Sequence, residues 1–95
     1  MKHAGPRALE AIEPLLEKLR TIPGLAERKR GIFHRGPTAF LHFHEDPAGI
    51  FADLRSGDDF DRYAVSTKAE MARLLRAARA EASTPRGALQ PSRRF

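Results

Sequence analysis

A chain of 95 residues has room for one small domain with a single hydrophobic core, because short chains bury only about 60–70% of the surface that unfolding exposes. The composition, 41% hydrophobic and 31% charged, is that of a folded, water-exposed protein, and no apolar run approaches the roughly 20 residues of a membrane-spanning helix. The formal charge of +5 divides into +4 over residues 1–44, −5 over residues 45–61 and +6 over residues 62–95, which argues against a protein that merely coats a polyanion.

The first predicted element is an amphipathic helix near the N-terminus. Its apolar stripe has helical spacing and consists of Leu9, Ile12, Leu16 and Leu19. Pro14 lies inside this stripe, so the helix either kinks between Glu10 and Pro14 or begins with Pro14 in its first turn. Because the stripe keeps its phase across the proline, we favour the kink, and we expect Pro23 and Gly24 to end the helix.

Four short segments typical of β-strands follow, at residues 31–34, 38–44, 50–55 and 62–65. Turn-forming residues separate them. Gly36 and Pro37 follow the first segment, and Glu45–Gly49 is predicted to form a hairpin loop after the second.

The second helix begins at a capping-box sequence, Thr67-Lys68-Ala69-Glu70. Its apolar face consists of Met71, Leu74, Leu75, Ala78 and Ala82. Periodicity ends at Ser83, so we expect a single domain over residues 1–83 and a flexible basic tail over residues 84–95. The prediction is an α+β fold of order α-β-β-β-β-α, in which a small antiparallel sheet of three or four strands is flanked by an N-terminal and a C-terminal helix.

The register of the central hairpin decides which residues share a face of the sheet, because side chains alternate along each strand. A four-residue loop over residues 45–48 places Phe43 opposite Ile50, and the paired positions on that side are all apolar. A five-residue loop sets Leu41 against Asp53, so we favour the four-residue loop. The other face then mixes apolar and ionisable groups, suits a ligand or a partner, and carries Phe40, His42, His44, Phe51, Asp53 and Arg55.

Two histidines in alternation, His42 and His44, place both imidazoles on one side of the same strand. This spacing occurs in β-sheet metal sites, and Asp53 is the candidate third ligand. The same residues suit metal-free acid–base catalysis, with one histidine as the base and Asp53 fixing its tautomer. We favour a structural interpretation, in which the imidazoles bond to Asp53, Tyr63 or the backbone. His42, His44 and Asp53 are thus the candidates for both a catalytic and a metal site, and the sequence indicates no cofactor.

Several short motifs carry a resemblance to known families. They are Pro23-Gly24-Leu25, Phe33, Leu41-His42-Phe43-His44, Gly49 and Ala52-Asp53-Leu54. Over about residues 15 to 80 the chain resembles small bacterial proteins labelled "luciferase domain", a label that implies no light emission. Its element order is also similar to that of the MmcQ/YjbR-like group, which has been suggested to bind DNA. The resemblance implies a bacterial protein in which His42, His44 and Asp53 belong to a shared signature.

The sequence leaves three functional classes open. The first is a non-enzymatic ligand-binding or protein-interaction module, expected to form a homodimer through Phe40 and Phe51. The second is a small enzyme that uses a His/Asp acid–base or metal site on the sheet face, so the sequence leaves enzymatic activity undecided. The third is nucleic-acid binding through basic clusters at residues 28–30, 73–79 and 93–94. Because the chain has no cysteine and no apolar leader in its first seven residues, we expect a cytoplasmic protein without a membrane partner.

Overall fold

The computed structural model describes residues 2–84 and shows an α+β fold with an antiparallel sheet and helices towards both ends of the chain. In chain order the elements are β1 (Lys2–His3), α1 (Pro6–Ala11), α2 (Glu13–Leu19), β2 (Leu25–Lys29), β3 (Ile32–Arg35), β4 (Thr38–Asp46), β5 (Gly49–Ser56), β6 (Asp59–Ala64) and α3 (Lys68–Ser83). The predicted fold class is confirmed. The predicted tail lies outside the described residues except for Thr84. None of the helices described is long and apolar enough to cross a membrane.

The sheet has six strands, more than the three or four expected. Strands β2 to β6 lie side by side in sequence order, and each is antiparallel to the next. Strand β1 pairs with the half of β4 that β3 leaves free. The sequence pattern missed β1 because it has only two residues. It missed β2 because three of its five residues, Glu27–Lys29, are charged and give no apolar alternation.

The first helix is interrupted at Ile12, so the prediction of a kinked but continuous helix is wrong. Helix α1 ends at Ala11, Ile12 has φ −106°, and α2 follows with Pro14 in its first turn. Proline is favoured there because the N–H groups of a first turn have no partner within the helix. The apolar stripe nevertheless stays in phase, since Ile12, Leu16 and Leu19 are fully buried.

The hydrophobic core lies between the helices and one face of the sheet. The strands contribute Phe33, Leu41, Phe43, Ala52 and Leu54, and the helices contribute Leu15, Leu16, Leu19, Leu74, Leu75 and Ala78. Burying one large apolar side chain stabilises the fold by about 1.5–3 kcal/mol. This layer therefore fixes the sheet against the helices and leaves the opposite face of β4 and β5 for polar groups.

The central hairpin has a two-residue turn, Pro47-Ala48, so the predicted four-residue loop is wrong. Leu41 pairs with Leu54, whereas the predicted loop would pair it with Ala52, two residues earlier on the strand. The Asp46 carboxylate accepts a hydrogen bond of 2.8 Å from the backbone N–H of Ala48, which stabilises the short turn and lets the ladder extend. A shift of two residues is one full period of a strand, so each face keeps the residues predicted for it.

Phe40 departs from this alternation. Strand β3 pairs with residues 39 and 41 of β4 in succession, so Phe40 has no partner on that side and forms a bulge. Its side chain is only 3% exposed and belongs to the core. The prediction that Phe40 lies on the exposed face is therefore wrong, because a bulge redirects the side chain of the extra residue.

The capping box at the start of α3 is confirmed. The Thr67 hydroxyl accepts a hydrogen bond from the N–H of Glu70 at 3.1 Å, and the Glu70 carboxylate accepts one from the N–H of Thr67 at 3.0 Å.

We expect Thr67→Ala to lower the free energy of unfolding by about 1 kcal/mol, and Thr67→Ser, which keeps the hydroxyl, to change it little. Urea unfolding followed by circular dichroism measures both, and an equal loss in the two variants contradicts a capping role.

Candidate functional site

Three ionisable side chains meet on the sheet face opposite the helices. The pairing of β4 with β5 sets His42 directly opposite Asp53, and strand alternation puts His44 on the same face. Nε2 of His44 lies 3.1 Å from Nδ1 of His42 and 3.0 Å from Oδ2 of Asp53. The three residues offer ligand atoms that all lie within 4.8 Å of one another. The structure thus brings together His42, His44 and Asp53, which we call the imidazole–carboxylate cluster.

Hydrogen bonding satisfies this cluster only if one hydrogen is shared. A ring nitrogen carries either one hydrogen or one lone pair. Nε2 of His44 therefore cannot donate to Asp53 and accept from His42 at the same time. Either a single hydrogen is shared between both neighbours, or one cation placed between the three atoms satisfies all of them.

Arg62 holds the carboxylate of the cluster in place. Strand pairing sets Arg62 of β6 opposite Asp53, and its Nε and a terminal nitrogen donate to the two carboxylate oxygens at 2.7 and 2.9 Å. Asp53 is 8% exposed and is the one buried charged residue in the part of the chain that the structure describes. The guanidinium lowers the pKa of Asp53 below its usual value, so the carboxylate is ionised at neutral pH.

The environment of His42 favours the neutral ring. Burial lowers the pKa of His42 below its usual value, and the neighbouring His44 acts in the same direction, whereas the negative charge of Asp53 opposes both. A neutral imidazole keeps a lone pair on one nitrogen, which is the state that binds a metal ion.

Phe60 and Arg55 close one side of the cluster. The ring of Phe60 meets the ring of His42 edge-on with a centroid separation of 5.0 Å, and the Arg55 guanidinium lies 4.7 Å from the Phe60 centroid. Nε of Arg55 also donates to the carbonyl of Ala39 at 2.5 Å. Arg55 is therefore held by an aromatic ring and the backbone.

The residues of the predicted ligand face separate into three groups. His42, His44 and Asp53 converge, Phe51 and Arg55 share their face, and Phe40 lies in the core. Arg62, Phe60 and His3 also lie at this site and are not among the residues predicted from the sequence. A prediction that started the last strand at Asp59 instead of Arg62 would have placed Arg62 opposite Asp53. His3 gives no such signal, because a strand of two residues is too short to show alternation.

The basic clusters proposed for nucleic acid lie elsewhere on the fold. Arg76 and Arg79 of α3 line a groove against α2 together with Lys18, Lys68 and apolar side chains. Arg30 forms an ion pair of 2.9 Å with Glu13, and residues 93–94 lie outside the described residues. Nucleic-acid binding stays a prediction.

No protein-family model, curated protein or solved structure matches the chain. The resemblance to the luciferase-domain proteins and to the MmcQ/YjbR-like group stays a prediction.

Proposed function

We propose that the protein is a ligand-binding module whose ligand is a divalent transition-metal ion of the zinc type, held by His42, His44 and Asp53. The observation that supports this most directly is the convergence of three donor atoms that hydrogen bonds satisfy only by sharing one hydrogen. A cation at their centre removes that conflict. It also accounts for two imidazoles lying in contact within one cluster.

The donor separations suit a small divalent ion. Two ligands of a tetrahedral zinc ion lie about 3.3 Å apart, because the Zn–N and Zn–O bonds are roughly 2.0–2.2 Å long. The separations of 3.1 and 3.0 Å around Nε2 of His44 are close to this value, and the third pair of donor atoms, from His42 and Asp53, lies within 4.8 Å. Two imidazoles with one carboxylate suit zinc, cobalt, nickel, copper and iron, whereas calcium and magnesium prefer sites made of oxygen alone.

Arg62 is compatible with such an ion as an outer partner. An ionised carboxylate has about four lone-pair positions, so Asp53 can coordinate an ion and still accept both hydrogen bonds from Arg62. Partners of this kind orient the ligating group and strengthen metal binding. The buried carboxylate therefore already has the fixed orientation that a metal ligand needs.

The enzymatic alternative depends on the coordination positions that the three side chains leave free. Catalytic zinc sites keep one position for water or substrate, whereas structural sites are closed by protein ligands.

The predicted homodimer was expected to form through Phe40 and Phe51. Because the Phe40 side chain is buried in the core, it cannot contribute to such an interface, and homodimerisation stays a prediction.

Zinc titration of the full-length, chelator-treated protein tests the proposal. We expect one equivalent to bind saturably at neutral pH, measured by competition with a chromogenic chelator. His44→Gln removes the nitrogen that contacts both other donors of the cluster, and we expect it to weaken zinc binding by at least about 100-fold, because the ion loses its central ligand.

His34→Gln is the matched control, since His34 lies on β3 outside the cluster. We expect this variant to bind zinc as the wild type does. Absence of saturable binding to the wild type, or equal weakening by both glutamine variants, overturns the proposed function.

A further inference from the structure

A third histidine, His3, lies beside the imidazole–carboxylate cluster on the side away from β5. Strand β1 pairs with β4 along the edge opposite β5, and its register sets His3 directly opposite His44. Residues directly opposite in an antiparallel pair point to the same face of the sheet. Donor groups therefore occupy three adjacent strands, with His3 on β1, the two histidines on β4 and Asp53 on β5.

We propose that His3 is the fourth protein ligand of this metal site, so that ion binding closes the site and ties the N-terminal strand to the sheet. The inference rests on the proposed function, because it assigns a further ligand to the same ion. It reaches beyond that function by making the site closed, which is the arrangement of structural zinc sites.

The positions of the rings support this assignment. The ring centroid of His3 lies 5.1 Å from that of His44 and 6.2 Å from that of His42, while His42 and His44 are 4.9 Å apart. Two imidazoles bound to one tetrahedral zinc ion have centroids about 5 Å apart, given the Zn–N bond length and the size of the ring. The His3–His44 and His42–His44 separations match this value, and the His3–His42 separation of 6.2 Å exceeds it.

His3 reaches the ion by turning its ring. In the structure this ring stacks on His44 with an interplanar angle of 27°, and His3 does not belong to the group of donors that lie within 4.8 Å of one another. The side chain is exposed, and exposed side chains exchange between staggered rotamers at little cost. A bound ion favours the rotamer that directs a nitrogen inward.

Few contacts hold strand β1 without an ion. The segment is two residues long, the N–H of Ala4 donates to the carbonyl of Phe43 at 3.1 Å, and the N–H of Gly5 donates to the Glu45 carboxylate. A strand of only two residues opens locally at low free-energy cost. A metal bond to His3 adds a cross-strand link, so ion binding and the order of the N-terminus are coupled.

Cobalt(II) is the probe that separates a closed site from an open one, because four-coordinate cobalt absorbs visible light far more strongly than five- or six-coordinate cobalt. We expect the wild-type full-length protein to form a 1:1 complex with intense visible absorption. His3→Gln is expected to bind cobalt about 10- to 100-fold more weakly and to lose most of that intensity, because more than one water enters the opened site and raises the coordination number to five or six. Lys2→Gln is the matched control, since Lys2 lies on the same strand and points to the other face.

Amide hydrogen exchange gives a second readout of the coupling. Zinc should slow exchange of the Ala4 amide in the wild type and in Lys2→Gln, and should not do so in His3→Gln. If His44→Gln abolishes binding while His3→Gln matches the wild type in affinity, absorption and exchange, the role of His3 is overturned and the proposed function stands. If the wild type binds no cobalt and no zinc, both are overturned.

Discussion

Phe40→Ala is expected to lower the free energy of unfolding by about 3–5 kcal/mol, while Phe60→Ala lowers it by less than about 1 kcal/mol. The two substitutions delete the same atoms from neighbouring parts of the sheet. Phe40 is 3% exposed and lies in the core. Phe60 is 37% exposed, and its ring contacts His42 and the Arg55 guanidinium. Loss of a buried ring leaves a cavity, and loss of an exposed ring does not.

Urea unfolding at constant temperature measures both variants, with circular dichroism as the signal. Phe40→Leu serves as an intermediate, because it keeps most of the buried volume and should recover a large part of the lost stability. Equal losses at positions 40 and 60 would show that Phe40 faces solvent, as strand alternation alone predicts, and that the bulge does not form.

Asp53→Asn is the second substitution with a large expected effect. The change removes the charge that accepts hydrogen bonds from Arg62 and contacts His44, and we expect it to lower the free energy of unfolding at pH 7 by about 1–3 kcal/mol. It should also abolish tight zinc binding, because the site loses its negatively charged ligand. Asp61→Asn on β6 is the matched control, since Asp61 is exposed, and its stability and zinc binding should be unchanged.

Acidification should destabilise the metal-free protein in two separate ranges of pH. The pKa of His42 is lower in the folded protein than the ordinary 6.5, so the unfolded chain takes up this proton first and stability falls as the pH drops below about 6.5. The pKa of Asp53 is likewise lower than the ordinary 3.8, so a second loss begins near pH 4 and continues through the folded pKa.

Variants assign each range to its residue. His42→Gln should reduce the loss in the upper range, and Asp53→Asn should reduce the loss in the lower range, each measured by urea unfolding at a series of pH values with a chelator present. A wild-type stability that rises on acidification from pH 7 to pH 5 contradicts the environment described for His42.

Local patterns in the sequence determined the elements that depend on near neighbours. The capping box and apolar stripe of α3 act within four residues, so Thr67 and Glu70 identify the start of that helix without knowledge of the rest of the fold. Strand alternation likewise placed His42, His44 and Asp53 on one face. That assignment survives the error in the hairpin register, because a shift of two residues returns every side chain to its original face.

Pairing between distant segments decided the bulge at Phe40, the sixth strand and the residues that meet at the cluster. No local sequence pattern encodes this pairing. The bulge that buries Phe40 exists because β3 pairs with residues 39 and 41 of β4, and the sixth strand exists because Lys2 and His3 find partners about 40 residues away in the chain. The same pairing brings to the cluster His3, which precedes it in the sequence, and Arg62, which follows it. The sequence by itself therefore determined which chemical groups share a face, and only the tertiary structure decided which of them meet, because hydrogen-bonded strand partners are set by the whole sheet and not by neighbours in the chain.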